Sequence, residues 1–446
     1  MTSPALIAET PEEVGIDSVA LNHLFERAER EVTEGRLEAC QVAVARNGRL
    51  AAQRSFGQTP DGRAVDEDTC FAIFSCTKTI TAAAIWKLLE QGDLSLEDHV
   101  SDLLPCFASH GKDKIQLLHL LNFTAGLASA DAGPLTTGEG LQRTQSNQQI
   151  MGNSASRCEA FAHWKPDHAP GLRYAYHSES AHWVLVEIIQ RITGCDHRDF
   201  IRNTLLDPMG LDTFFVGCPL HQQPHHRFAD VVLHGQDATS QGYAHLAPLW
   251  NTSEMRALGN PAGGGFCHAG DLALFYQPLL HGGQVFDGPQ IFRPPTIATA
   301  TAVHTDDRHY ELISEQPHVV LPTLRGLVVE LAGDDTIELP PELAPGDGVH
   351  GMASAPTGIT GRVPGKVLRG CFGYSNSSLA FGHNGAGGQA AWGDPQTGIS
   401  FAFLTNTFSQ PRKDRVTALA TMANECALRP IEKGGRPDGV ASGDSK

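Results

Sequence analysis

Ser75 and Lys78 stand three positions apart in Phe74-Ser75-Cys76-Thr77-Lys78. They open a stretch, Cys76 to Gln91, whose apolar residues Ile80, Ala84 and Leu88 recur at helical spacing before Gly92 ends it. Residues three apart on a helix share a face, so the hydroxyl and the amine come side by side. A serine hydroxyl is a poor nucleophile unless a neighbour takes its proton. A lysine can do so only when neutral, a form that burial and a cationic neighbourhood favour. A serine at a helix N-terminus also aims its own backbone N–H at a developing oxyanion, and the helix dipole favours negative charge there. The chemistry is acyl transfer. The spacing S-x-x-K arises by chance in most long chains, so the elements around it must carry the reading.

Those elements follow a pattern. Gln41–Arg46, Asn47-Gly48 and Arg49–Arg54 read as a β-hairpin, because Asn-Gly tolerates the two positive φ angles of a type I′ turn. Gln389–Trp392 and Ile399–Leu404 flank the turn Gly393–Gly398 as a second hairpin. Between them the chain is helical, with His182–Ile192 ending at Gly194. The expectation is an α/β (α+β) catalytic domain over 1–428. Its antiparallel sheet would come from about 10–70 and 370–428, flanked by helices, with a mostly helical lobe over about 75–300. Pro-, Gly- and Asp-rich residues 302–369 read as a long insertion, and 429–446 as a disordered tail.

Composition narrows the function classes. The 446 residues carry 50 acidic against 33 basic side chains, a net charge of -17, which argues against nucleic-acid or anionic-membrane partners. No stretch approaches the roughly 20 apolar residues that span a bilayer, and the N-terminus has no secretory signal pattern. The 10 scattered cysteines read as reduced thiols, so a cytoplasmic enzyme is expected.

Six ordered blocks between about residue 10 and residue 425 resemble the serine β-lactamase and penicillin-binding-protein family, in particular its class C β-lactamase and family VIII carboxylesterase branch. They are Ser75–Ile85 with its S-x-T-K start; Glu90–Asp98, similar to E-x-G-x-L-x-L-D-D; Leu117–Leu127, similar to L-L-x-H-T-S-G-L; Pro170–Ser178, similar to P-G-x-x-x-x-Y-S-N; Asn260–Gly283, similar to G-G-G…D-L-A-x-F…L-L-x-G-G; and Phe381–Gly388 with Asp394, Pro395 and Asn406. The resemblance implies a serine β-lactamase-like fold with the active site at the seam of sheet and helical lobe. It implies that Ser75 is acylated, that Lys78 is the base or shares the role with Tyr176, and that Tyr176 returns a proton to the leaving group. It implies substrate-binding roles for His383, Ser178 and Gly385, and an oxyanion hole from the backbone N–H groups of Ser75 and Ala386. No metal or cofactor is implied.

Two departures bear on substrate. His383 stands where β-lactamases carry Lys, and Ser178 where they carry Asn, which leans away from β-lactams and toward carboxylic esters. Phe123-Thr-Ala-Gly126 replaces H-T-S-G. Tyr374-Ser375-Asn376 spells Y-S-N literally but lacks the P-G lead-in and the following helix, and reads as a decoy. His221, His225 and His226 lack a carboxylate at ligand spacing and read as a solvated loop. Neither a G-x-S-x-G elbow nor a nucleotide fingerprint is present. The expected substrate is a small ester or amide, in a chain that could form a homo-oligomer. The rival readings are an amidase, D-aminopeptidase, transacylase or weak β-lactamase using the same residues, and a non-catalytic scaffold or sensor.

Overall fold

The computed structural model describes residues 3–128, 130, 150–234, 247–305, 310–313, 316–322, 326–331, 362–363, 366–367, 371–409 and 412–427. The expected insertion lies largely outside these residues, and the expected tail lies wholly outside them. Among the described residues, no helix is long and apolar enough to cross a membrane.

From the N-terminus the chain forms α1 (Ser18–Thr33), capped by the Asp17 carboxylate, which accepts from the N–H groups of Val19 at 2.8 Å and Ala20 at 3.1 Å. Strands β1 (Ala39–Arg46) and β2 (Arg49–Gly57) pair as the expected hairpin. Asn47 and Gly48 sit at φ 53° and 79° in its turn, and the Gly48 N–H donates to Gln277 Oε1 at 2.7 Å. Next come β3 (Thr69–Ala72) and α2 (Thr77–Gln91), the latter closed by Gly92 in the left-handed conformation. Then follow α3 (Ser154–His163), α4 (Ser180–Thr193), β4 (Phe215–Val216), β5 (Gly265–Cys267) and α5 (Ala269–Leu280). The C-terminal part supplies β6 (Glu330–Leu331), β7 (Phe381–Asn384), β8 (Ala390–Asp394), β9 (Ile399–Thr405) and α6 (Arg412–Glu425).

The main sheet runs β6-β7-β8-β9-β1-β2, antiparallel throughout, so N- and C-terminal strands meet at its centre as expected. The β1–β9 register sets Val42 opposite Phe403 and Val44 opposite Phe401. Alternation assigns the faces. Cys40, Val42, Val44, Trp392, Phe401 and Phe403 pack with Leu24, Phe25, Leu419 and Ala420 of α1 and α6. Ala39, Ala43, Ala45, Ala391, Ala402 and Leu404 face the core that contains α2 and α5. Small residues on that face let α5, buried along nearly its whole length, lie close on the sheet.

One stretch of the expected insertion belongs to this framework. Leu327, Val328 and Val329 are buried in the core, the Val328 N–H donates to the Leu121 carbonyl at 2.8 Å, and β6 is an edge strand. Two residues of strand are too few to leave a periodic signal in sequence. A smaller sheet, β4-β5-β3 with Arg227–Phe228 on its far edge, leads directly into the serine.

Candidate active site

Strand β3 pairs with β5, with Phe71 opposite Cys267 and Ala72 opposite Phe266, and the Ile73 N–H donates to the Gly265 carbonyl at 3.0 Å. The next residue, Phe74, takes φ 45°, a left-handed conformation that costs a non-glycine residue on the order of 1–2 kcal/mol. The Thr77 hydroxyl holds the bend by donating to the Phe74 carbonyl at 2.6 Å while accepting from the Gly265 N–H at 3.0 Å. A single 3-10 turn, Phe74–Cys76, then delivers Ser75 to the wall of a cleft at the head of α2.

Lys78, on the first turn of α2, is 1% exposed. Its Nζ donates to Ser75 Oγ at 3.1 Å and to the Ala262 carbonyl at 2.9 Å, and lies 5.2 Å from the centroid of the Tyr176 ring. The Asn260–Gly265 turn presents that carbonyl. Asn260 accepts from the Ala262 N–H through its side chain and from the Gly264 N–H through its backbone, and Thr81 Oγ1 donates to the Pro261 carbonyl. The sequence block was legible, but the carbonyl was not, because a backbone oxygen has no residue signature.

Tyr176 is held by the loop that carries Phe123 in place of the expected histidine. The Ala175 N–H donates to the Phe123 carbonyl at 3.0 Å, and the Gly171 N–H to that of Thr124 at 2.9 Å. The Phe123 ring lies 5.2 Å from Tyr176, 5.8 Å from His177 and 5.9 Å from His182, each within aromatic contact. Both histidines are fully buried. Burial pushes His177 down to about 4, and its Nε2 accepts from the Leu127 N–H at 2.8 Å, which requires a neutral ring at that nitrogen. His182 is driven well below the usual histidine range by burial first, then by the nearby Lys78, His383 and His177. This neutral layer behind Tyr176 was not anticipated.

On the facing side, β7 carries His383 and turns through Gly385 to Ala386. Cys76 Sγ donates to the His383 carbonyl at 3.3 Å, fastening α2 to this strand. His383 is fully buried, its ring 6.2 Å from Tyr176 and its Nδ1 2.7 Å from the Asn384 carbonyl oxygen. It stands behind the cleft wall rather than on it. Gly385 runs so close to the turn that carries Ser75 that a Cβ there would meet the Ile73 carbonyl oxygen at 2.9 Å and Gln389 Oε1 at 2.5 Å.

The cleft encloses about 490 Å³, part of it open to solvent. Ser75, Ser178 and Ala386 line it, as do Ala262 and Gly263. Its apolar wall comes from Phe74, Val231, Ala247, Trp250 and Phe408, with Phe74 stacked on Trp250 at 5.5 Å and edge-on to Phe408 at 5.1 Å. Sequence reasoning missed this wall because its members come from segments far apart in the chain. Tyr374-Ser375-Asn376 lies elsewhere, bonded to Thr421 and Asn424 of α6. His226 packs 4.7 Å from the Phe215 ring and 6.4 Å from that of Phe228.

A family model described as Beta-lactamase matches residues 25–423. The esterase/beta-lactamase LipL of Mycobacterium tuberculosis is 28% identical over 356 residues, which is 77% of this chain and 71% of that protein. Two solved structures share the fold. A penicillin-binding protein homologue from Caulobacter crescentus aligns with a TM-score of 0.69 at 22% identity, covering 92% of this chain and 99% of the other. EstA from Arthrobacter nitroguajacolicus Rue61a aligns with a TM-score of 0.68 at 20% identity, covering 92% and 96%.

Proposed function

The chain belongs to the beta-lactamase family, and from that premise we propose that it is a serine hydrolase cleaving carboxylic esters through an acyl-enzyme on Ser75. The observation that carries the reading is Lys78 Nζ at 3.1 Å from Ser75 Oγ, with that hydroxyl on the wall of the cleft. Neutral Lys78 takes the serine proton as Oγ attacks the ester carbonyl. The negative charge that develops on the carbonyl oxygen is met by the backbone N–H groups of Ser75 and Ala386, the first strengthened by the α2 dipole. Tyr176, whose ring lies beside Lys78, relays a proton to the departing alkoxide. Water then repeats the attack on the acyl-enzyme with the same pair as base.

Two features favour esters over β-lactams. His383 and Ser178 replace the Lys and Asn that hold a β-lactam, and among the described residues the cleft wall carries no cation for that substrate's carboxylate. His383, fully buried with its ring 6.2 Å from that of Tyr176, is read as acting on substrate through the position of Tyr176. Assay of short p-nitrophenyl esters beside a chromogenic cephalosporin tests the reading. Ester turnover with little cephalosporin cleavage supports it, and preference for the cephalosporin overturns it.

A further inference from the structure

The apolar wall of the cleft comes from segments far apart in the chain, and hydrogen bonds tie them together. The side chain of Asn251, next to Trp250, accepts from the Val231 N–H at 2.7 Å and donates back to the Val231 carbonyl at 3.1 Å. Thr407–Phe408 and Val232–Leu233 pair as parallel strands, and the His234 N–H extends them by donating to the Phe408 carbonyl at 2.9 Å. Asn406, part of the last sequence block, donates to the Asp230 carbonyl at 2.9 Å. Phe74, Val231, Trp250 and Phe408 are each no more than 7% exposed, yet all of them border the cleft. The wall is a pre-formed apolar surface of the kind that small-molecule sites use.

We infer that this wall is the acyl pocket, and that Trp250 is a specificity-determining residue that limits the length of the acyl chain. This rests on the ester-hydrolase reading and names its substrate class, esters of short apolar carboxylic acids. The tetrahedral carbon formed by attack carries four groups. One is Ser75 Oγ, and one is the oxyanion at the N–H groups of Ser75 and Ala386. The third is the leaving oxygen, which must face Tyr176 to receive its proton. Tyr176 is not among the described residues that border the cleft, so the leaving group is drawn away from the wall. The fourth group, the acyl substituent, is left to the wall, which begins at Phe74 immediately before Ser75. Each methylene that it buries there is worth about fourfold in binding. Trp250 is the largest side chain of the wall and stacks on Phe74 at 5.5 Å, so it fills space that a longer chain needs.

The test sets two ester series side by side. p-Nitrophenyl esters from acetate to octanoate lengthen the acyl group, and acetates of n-alkanols from ethanol to octanol lengthen the alcohol. Wild-type kcat/KM should climb about fourfold per methylene from acetate to butyrate and fall again by octanoate, while the alkyl acetates show no such climb. Trp250→Ala should raise the octanoate-to-acetate ratio by at least about tenfold, the worth of two buried methylenes. The ratio is internal to each protein, so a loss of overall activity does not move it. Should Trp250→Ala fail to fold, Trp250→Leu should raise the same ratio by a smaller factor, and the two wild-type series still decide where the acyl group lies. A flat acyl series, or alkyl acetates that climb as steeply, overturns the acyl pocket. A wild-type climb that continues to octanoate, or a ratio that does not rise in the folded variant, overturns the role of Trp250. Both results leave the hydrolase intact, whereas absence of Ser75-dependent p-nitrophenyl acetate hydrolysis sinks the ester reading instead.

Discussion

Ser75 and Lys78, the proposed nucleophile and base, are one helical turn apart, and their proximity was readable from that spacing because residues i and i+3 share a helix face. The structure bears out the proximity, with the two side chains at 3.1 Å. Removing the amine while keeping the apolar stem, as in Lys78→Met, should lower kcat at least about a thousandfold. Tyr176→Phe should cost about a hundredfold to ten-thousandfold in kcat, the usual worth of a positioned acid–base group. Stopped-flow and steady-state assay of the folded variants check both. Attack also needs the Lys78–Tyr176 pair ready to accept a proton, so kcat/KM should rise from about pH 6 toward about pH 9. A flat profile over that range contradicts the assignment. Less legible was the setting of Lys78. The Ala262 carbonyl and the buried His177 and His182 arise from folding of distant segments, and no local pattern marks them.

At the scale of elements, the site depends on how closely β7 and its turn lie against the bend before α2. Gly385→Ala would force a methyl group onto the Ile73 carbonyl oxygen and Gln389. The displaced bend should lower kcat on the order of a hundredfold, since catalytic geometry tolerates little misplacement, while KM for a small ester changes less. Steady-state kinetics with a circular-dichroism check of folding measures this. An unchanged kcat would mean that the two segments can separate without cost. The hairpins and the capped helices were legible because Asn47-Gly48, Gly92 and Gly194 punctuate them. Phe123 was legible only as a departure from H-T-S-G. The structure explains it as the ring packed against Tyr176, His177 and His182.

For the molecule as a whole, buried ionisable groups predict how stability responds to acid. His177 and His197 are pushed down to about 4 by burial, and His182 also falls well below the usual range. The unfolded chain takes up protons on these rings near pH 6.5, whereas the folded state refuses them. Stability is therefore full above about pH 6.5 and declines toward pH 4, by up to about 1.4 kcal/mol per pH unit for each ring. Glu31 adds a second window. Burial alone would raise its pKa, but Arg36, Arg415 and Arg27 outweigh that and hold it at about 2. Its contribution is present above about pH 4.5 and is lost as pH falls toward 2. Urea unfolding midpoints should hold level from about pH 7.5 to about pH 6.5 and then fall toward about pH 4, and midpoints independent of pH would refute the neutral histidine layer. Arg415 and Glu31 join α6 to α1 on one face of the sheet. The sequence anticipated that termini would meet, since strands at both ends flank a helical middle. It could not anticipate that Leu327–Leu331, inside an apparent insertion, would complete the core and the sheet edge.

The central claim is that Ser75 carries the acyl group. Intact mass measurement after rapid quenching with a p-nitrophenyl ester, wild type beside Ser75→Ala, tests it most directly. The expected result is a mass increase of one acyl group on the wild type, mapped by digestion to the Ser75 peptide, and neither adduct nor turnover above about a thousandth in the variant. Retained ester turnover in a folded Ser75→Ala protein would contradict it.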